Sequence, residues 1–303
     1  MGNFRLWIGC FIIMFFVMMA FVGPALAPYQ PDYQDAAKYV ETDDGYELMG
    51  APFPPSKHHW FGTDEWGYDI LSLLLYGAKY TIFASVFIAL FRVVIGGVAG
   101  LLSGMRNRKV HKVNAFGILG SIPSFLIVYF VMIGIVMNST LTPWKLALIQ
   151  GCLMAVIGVP GVYATISEKT SVIKQNLFVT ASRSLGGSQS HIIRKHIFPY
   201  IQGTLSILFF KEIILVLGLI GQLGIFDLFL GGTIQRQTAP FIHISKTHEW
   251  AGIIGQWRMF IYDSQWILFF PLSVFMLLLL GFYLIIRGLE QQQQKAYNKF
   301  PHL

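Results

Sequence analysis

The sequence predicts an all-α polytopic membrane protein of six transmembrane helices, and three observations carry that reading. Of its 303 residues 54% are hydrophobic and only 12% charged, with a mean hydropathy of +0.58. A soluble domain carries about 25% charged residues. Six apolar runs are long enough to cross ~30 Å of hydrocarbon, at about 6–27, 81–104, 113–137, 146–166, 203–225 and 266–286. Lysine and arginine collect in alternate connections between those runs. At roughly 20 residues per span little chain is left over, which excludes a large soluble domain, a disordered chain and a small disulfide-stapled fold.

The first run follows Arg5, and Ala25-Leu26-Ala27 imitates a signal-peptide cleavage site. Its apolar stretch exceeds the ~7–15 residues of a signal peptide, so residues 1–27 are expected to remain as a transmembrane helix. Residues 28–80 form an acidic, proline-bearing and aromatic segment that faces an external partner, caps the outer vestibule or is a solvated linker. Within it Gly62-Thr63-Asp64 reads as a turn, and Asp64 and Asp69 as caps for a short helix leading into the second span. Residues 81–288 form the transmembrane core. Its second run carries Gly96, Gly100 and Gly104 at small-xxx-small spacing, which permits close helix packing within or between chains. Residues 289–303 are a polar tail containing Gln291–Gln294.

Short cytoplasmic loops collect Lys and Arg. With the N-terminus inside, the inner segments hold Arg5, Arg106, Arg108, Lys109, Lys112, Lys169, Lys174, Arg183, Arg194, Lys195, Arg287, Lys295 and Lys299 against only Glu168 and Glu290. Most of the 15 acids fall outside. Both termini are therefore expected in the cytoplasm. The net charge of +7 is accounted for by this asymmetry and by contact with anionic membrane lipid, with no nucleic-acid partner.

A charge at mid-bilayer costs about 2.5–3.5 kcal/mol on insertion scales, so charges within spans are functional candidates. Arg92, Lys211 and Glu212 are the three, as pathway or intersubunit residues; satisfied interhelical contacts or snorkelling are the alternatives. Lys211 and Glu212 point about 100° apart on a helix and are not expected to pair with each other.

No G-x-x-x-x-G-K-[ST] occurs, so any ATP is hydrolysed by another chain. H-E-x-x-H, G-x-S-x-G and C-x-x-C are also missing, which removes the usual protease and redox-enzyme signatures. Adjacent His58 and His59 read as a solvated polar pair rather than a metal site. Cys10 and Cys152 lie in apolar runs and read as small core residues.

The inner segment 167–202 is too polar to span and reads as helix-turn-helix. A first helix runs from about Ser167 to Arg183, Gly186-Gly187 ends it, Ser188 caps a second helix and Pro199 closes that one. Ile192, Ile193 and Ile197 share an apolar face on the second helix, with Arg194 and Lys195 directed elsewhere.

Phe178-Val-Thr-Ala-Ser-Arg-Ser-Leu-Gly-Gly187, followed by Ile192, Ile193 and Lys195 to Pro199, resembles the EAA loop of binding-protein-dependent ABC importer permeases. Phe61-Gly-Thr-Asp-Glu-Trp-Gly-Tyr-Asp-Ile-Leu-Ser72 with Leu75-Tyr-Gly-Ala-Lys79 is similar to the segment before the second helix in DppC/OppC-like permeases of dipeptide, oligopeptide and nickel importers. Ala27-Pro-Tyr-Gln-Pro31, Ile122-Pro-Ser-Phe125, Glu249-Trp250 and Phe270-Pro271 extend the resemblance over nearly the whole chain. Two positions depart from it: Thr180 stands where the family has Glu, and Tyr68 where it has Arg. The stretch 226–265 matches poorly until Glu249.

The resemblance implies a type I ABC importer permease fold with a cytoplasmic helix-turn-helix coupling loop. The chain would be a non-catalytic inner-membrane subunit forming half of a translocation pathway for peptides. Its partners would be a second homologous permease, two cytoplasmic ATPase subunits that bind ATP and Mg, and an extracytoplasmic substrate-binding lipoprotein. No cofactor or metal is expected in this chain. Docking to the ATPase would fall on Thr180, Ala181, Ser182, Arg183, Leu185, Gly186 and Gly187. A nickel or metallophore permease shares the same pattern; a stand-alone secondary transporter and a membrane enzyme are the remaining alternatives.

Overall fold

The computed structural model describes residues 4–42, 45–106, 122–236 and 242–299, and is mostly helical. Five helical runs are long and apolar enough to cross a membrane: α1 (Phe4–Leu26), α2 (Ile70–Met105), α4 (Pro143–Ile173), the continuous run Gln189–Ile225, and α9 (Trp266–Lys299). The shorter α3 (Ser124–Val136) has 13 residues, about 20 Å of helix. The expected third span begins at 113; its first part and the basic residues Arg108, Lys109 and Lys112 lie outside the described residues.

α2 is the centre of the bundle, packed on α4, α1 and α7 (Phe198–Ile225), while α9 closes against α1 and α7. The glycine ridge of α2 faces α4 within the same chain. A Cβ on Gly96, Gly100 or Gly104 would sit 2.9, 2.7 and 2.7 Å from the carbonyl oxygens of Val159, Tyr163 and Ser167. The helices touch backbone to backbone because those side chains are absent. Gly100→Leu is therefore expected to cost about 1–3 kcal/mol by overpacking, read as a lower unfolding temperature of the detergent-purified protein. An unchanged temperature would mean that the two helices do not meet there.

α2 begins at Ile70, ahead of the expected 81, so the non-helical part of the 28–80 segment ends at Asp69. Lys79 and Tyr80 had broken the apolar run; in the helix Lys79 lies 5.3 Å from the Tyr80 ring, and such amphipathic side chains suit an interface. Asp69 caps this long helix directly, accepting from the Ser72 amide at 2.8 Å and its hydroxyl at 2.7 Å. Asp64 does not cap a helix; it closes a turn by accepting the amides of Trp66 and Tyr68, both at 3.0 Å.

Two further expectations are corrected. His59 is buried at 1% exposure, its ring between Asp69 (3.0 Å) and Asp35 (3.2 Å), so it ties the segment together while His58 stays exposed. Cys10 and Cys152 face outward from the bundle. Lipid is as apolar as a protein core, so an apolar helix position does not reveal which of the two it faces.

The end of the bundle expected outside carries a folded cap. It contains the antiparallel pairs β1 (Ala37–Thr42) with β2 (Gly45–Gly50) and β3 (Thr233–Gln235) with β4 (His243–Ser245), and the short α8 (Trp250–Trp257). Trp250 is completely buried, its indole donating to the Leu74 carbonyl at 2.9 Å and its amide to the Thr81 hydroxyl at 3.0 Å. Phe61 stacks on Phe270 at 4.3 Å, and Trp66 meets Trp257 edge-on at 4.8 Å. Arg236 also lies 5.2 Å from the Trp66 ring, so the described residues of 51–69 pack against those of 226–265 rather than forming a solvated linker.

Candidate functional site

At the opposite end α4 stops at Ile173, and the expected first helix from Ser167 to Arg183 is divided in two. Lys174 donates its ammonium to the Met105 carbonyl at the end of α2 (2.7 Å). Burial, and then the nearby Arg183 charge, hold its pKa below the usual lysine value. Asn176 then takes an extended backbone before α5 (Leu177–Ser184) restarts, a cap conformation that Asn favours.

α5 ends in a Schellman turn. Gly186 takes φ +81°, its amide donates to the Arg183 carbonyl at 3.0 Å, and the Gly187 amide donates to the Ser182 carbonyl at 2.9 Å. A side chain on Gly186 has open space but an unfavourable backbone, which is the reason for glycine there. Ser188 accepts from the His191 amide at 3.3 Å and caps α6 (Gln189–Ile192) as expected.

Pro199 does not end the second helix. A π-turn at Ile193–Ile197, in which the Phe198 amide donates to the Ile193 carbonyl, carries the run unbroken into α7. The wider turn makes room for a residue with no amide and a bulky ring.

This turn is anchored from above and bare below. Val179, Ile192 and Ile197 are buried in a cluster with Met105, Val162, Ile166 and Ile173, and Phe178 stacks on Tyr200 at 5.2 Å. Of the expected docking residues, Thr180, Ala181, Arg183, Leu185 and Gly186 are exposed, and Ser182 and Gly187 half-buried. Two leucines, Leu177 at 87% and Leu185 at 89% exposure, flank α5 on its free side. Leu177 escaped sequence reasoning, since nothing in an isolated turn of sequence separates a bare leucine from a packed one.

The second arrangement lies near the middle of the bundle. Arg92 on α2 and Glu212 on α7 form an ion pair at 2.9 Å, with side chains 6% and 7% exposed. Arg92 also donates from Nε and Nη2 to the Met154 carbonyl of α4, at 3.2 and 2.8 Å. Gly158 leaves the space through which its guanidinium passes. One side chain thus ties three helices together. Lys211 points away, as its register requires, and pairs with Glu290 of α9 at 2.9 Å in a more exposed position. Sequence reasoning identified the charges but not their pairing, although a lone Arg and a lone Glu in separate spans are mutual candidates.

In the cap, Asp64 and Glu249 are buried acids. Burial is the main cause in each case, pushing Asp64 up to about 7 and Glu249 up to about 8. Glu249 is also the N-cap of α8, accepting the Ala251 amide at 2.9 Å. A carboxyl whose folded pKa lies above its unfolded value stabilises fully below the unfolded value, and loses that contribution as pH rises through the folded one. The protein is therefore expected to melt lower at pH 8.5 than at pH 5, by about 1.4 kcal/mol per pH unit for one such group inside that window. Glu249→Gln should flatten this slope; an identical slope in the variant would contradict the assignment.

Residues 3–45 match the family described as the N-terminal TM domain of oligopeptide transport permease C. The chain is 28% identical over 291 residues to the dipeptide transport system permease protein DppC of Alkalihalophilus pseudofirmus, covering 93% of this chain and 83% of that protein. It is 27% identical over 304 residues to the oligopeptide transport system permease protein OppC of Bacillus subtilis, covering 96% and 86%. Among solved structures, an inward-facing form of the MetNI methionine ABC transporter aligns with a TM-score of 0.48 at 18% identity, over 72% of this chain and 96% of that one.

Proposed function

We propose that this chain, a DppC/OppC-like ABC transporter permease, forms one half of a pathway through which an ATP-driven importer moves peptides across a prokaryotic inner membrane. A second, homologous permease completes the pathway. Two ATPase subunits bind ATP and Mg beneath, and a binding lipoprotein delivers substrate from outside. The chain spans the membrane six times with both termini in the cytoplasm, and it catalyses nothing itself. Peptides are the substrate class because the similar proteins covering nearly the whole chain are named for dipeptide and oligopeptide transport.

The coupling role rests on one observation: a rigid turn, packed into α2, α4 and α7 through Val179 and Phe178, carries Leu177 and Leu185 on its bare side. Exposed leucines on a helix at the basic end of the bundle suit an apolar groove in a soluble partner. Arg92 and Glu212 belong to the pathway wall in this reading. The test is to purify the tagged chain in mild detergent from its native host, identify the chains that accompany it, and assay ATP hydrolysis. A second permease and ATPase subunits with hydrolysis are expected. A chain that comes down alone and inactive would shift the reading to a stand-alone carrier.

A further inference from the structure

Beside the Arg92–Glu212 pair lies a cavity of about 390 Å³ lined by Gly158, Gly161, Gly218 and Gln222 together with the two charged residues. Glu212, Gly218 and Gln222 all border it from α7, and Gly161 and Gly218 have open space where a side chain would stand. The size falls in the range of small-ligand sites, roughly 300–1,000 Å³. Its polar content is specific. Glu212 uses Oε2 for Arg92, and Oε1 takes no hydrogen bond from a described residue. Arg92 has five N–H donors, of which three are engaged, on Glu212 and twice on Met154. One acceptor and two donors are left over, on a pair whose charges cancel.

We propose that this cavity is a subsite for a backbone amide of the transported peptide: Glu212 Oε1 accepts the amide N–H, and the Arg92 guanidinium donates to the carbonyl. This rests on the peptide reading above and deepens it. A neutral ion pair suits a neutral, dipolar group; a charged peptide terminus would meet a like charge on one partner as surely as an opposite one on the other. The recognised atoms are common to every peptide bond, so the subsite tolerates any side chain. The glycines supply the clearance that a varied cargo needs.

The test uses the complete complex in proteoliposomes, and compares uptake of trialanine with that of its analogue carrying an ester in place of one amide. An ester keeps the carbonyl and loses the N–H. A hydrogen bond to a charged group makes the wild type favour the amide by about tenfold or more. The binding protein contributes to that preference, so the deciding comparison is with Arg92→Gln/Glu212→Gln, which leaves no lone charge. There the preference is expected to fall at least about threefold. Gly218→Leu, which fills the cavity and leaves the pair intact, is expected to lower trialanine uptake about tenfold or more with all subunits still present. An unchanged preference in the double variant overturns the proposal, as does full uptake by Gly218→Leu. Loss of the second permease from the Gly218→Leu complex also overturns it, by assigning the cavity to a subunit contact. Uptake of neither compound by the wild type would overturn the peptide reading as well, whereas the other failures leave that reading standing.

Discussion

Gly186→Pro is expected to abolish transport while the protein still inserts at normal abundance. Gly186 takes φ +81°, whereas proline is locked near −65°. Its amide, which donates to Arg183 at 3.0 Å, would be gone as well. The Schellman turn must then rebuild, and α5 loses its fixed angle to α6. Because the packed face through Val179 and Ile192 is untouched, the transmembrane bundle keeps its contacts and only the free side of the turn moves. The expected readout is loss of at least an order of magnitude in ATP-dependent uptake, with ATP hydrolysis no longer stimulated by substrate. Gly186→Ala meets no neighbour but keeps the backbone strain, at about 1 kcal/mol, and should fall between. Undiminished uptake by Gly186→Pro would contradict the coupling role proposed for the turn.

Arg92→Ala is the second large effect. It leaves Glu212 buried with no counter-charge, and it frees the Met154 carbonyl that Arg92 holds to α2. Breaking a buried pair from one side costs about 3–5 kcal/mol, while replacing both partners by apolar residues is often close to neutral. Arg92→Met/Glu212→Met should therefore recover most of the stability lost by either single change, while leaving uptake below that of the wild type. Lys211→Ala is the contrast: its pair with Glu290 is 48% and 32% exposed, and such pairs contribute about 0–1 kcal/mol. Unfolding temperatures of Arg92→Ala, Glu212→Ala, Arg92→Met/Glu212→Met and Lys211→Ala in detergent decide it. Equal losses for the single and double changes at 92 and 212 would mean that the pair does not act as a unit.

The membrane class, the apolar runs and the glycine turn were legible because each is a local property of the sequence: about twenty apolar residues, or a glycine where φ must be positive. The glycine ridge at 96, 100 and 104 was legible as close packing but not as packing on α4, because a small-residue stripe carries no address. The start of α2 was displaced because Lys79 and Tyr80 look like a boundary to a hydropathy window and sit comfortably in a helix. Pro199 looked like a stop, and the π-turn before it absorbed the missing amide.

Long-range matters were beyond reach. Burial of His59 depends on Asp35 and Asp69 converging on it. The pairing of Arg92 with Glu212 joins positions 120 residues apart. The outward placement of Cys10 and Cys152 reflects a solvent, lipid, that does not penalise apolar surface.

The most direct measurement is uptake of a labelled dipeptide into proteoliposomes containing the purified complex, with ATP supplied on the side of the α5–α6 turn. Accumulation is expected to need ATP, the binding protein and this chain together. Accumulation that proceeds without ATP, or with this chain alone, would contradict the proposed function.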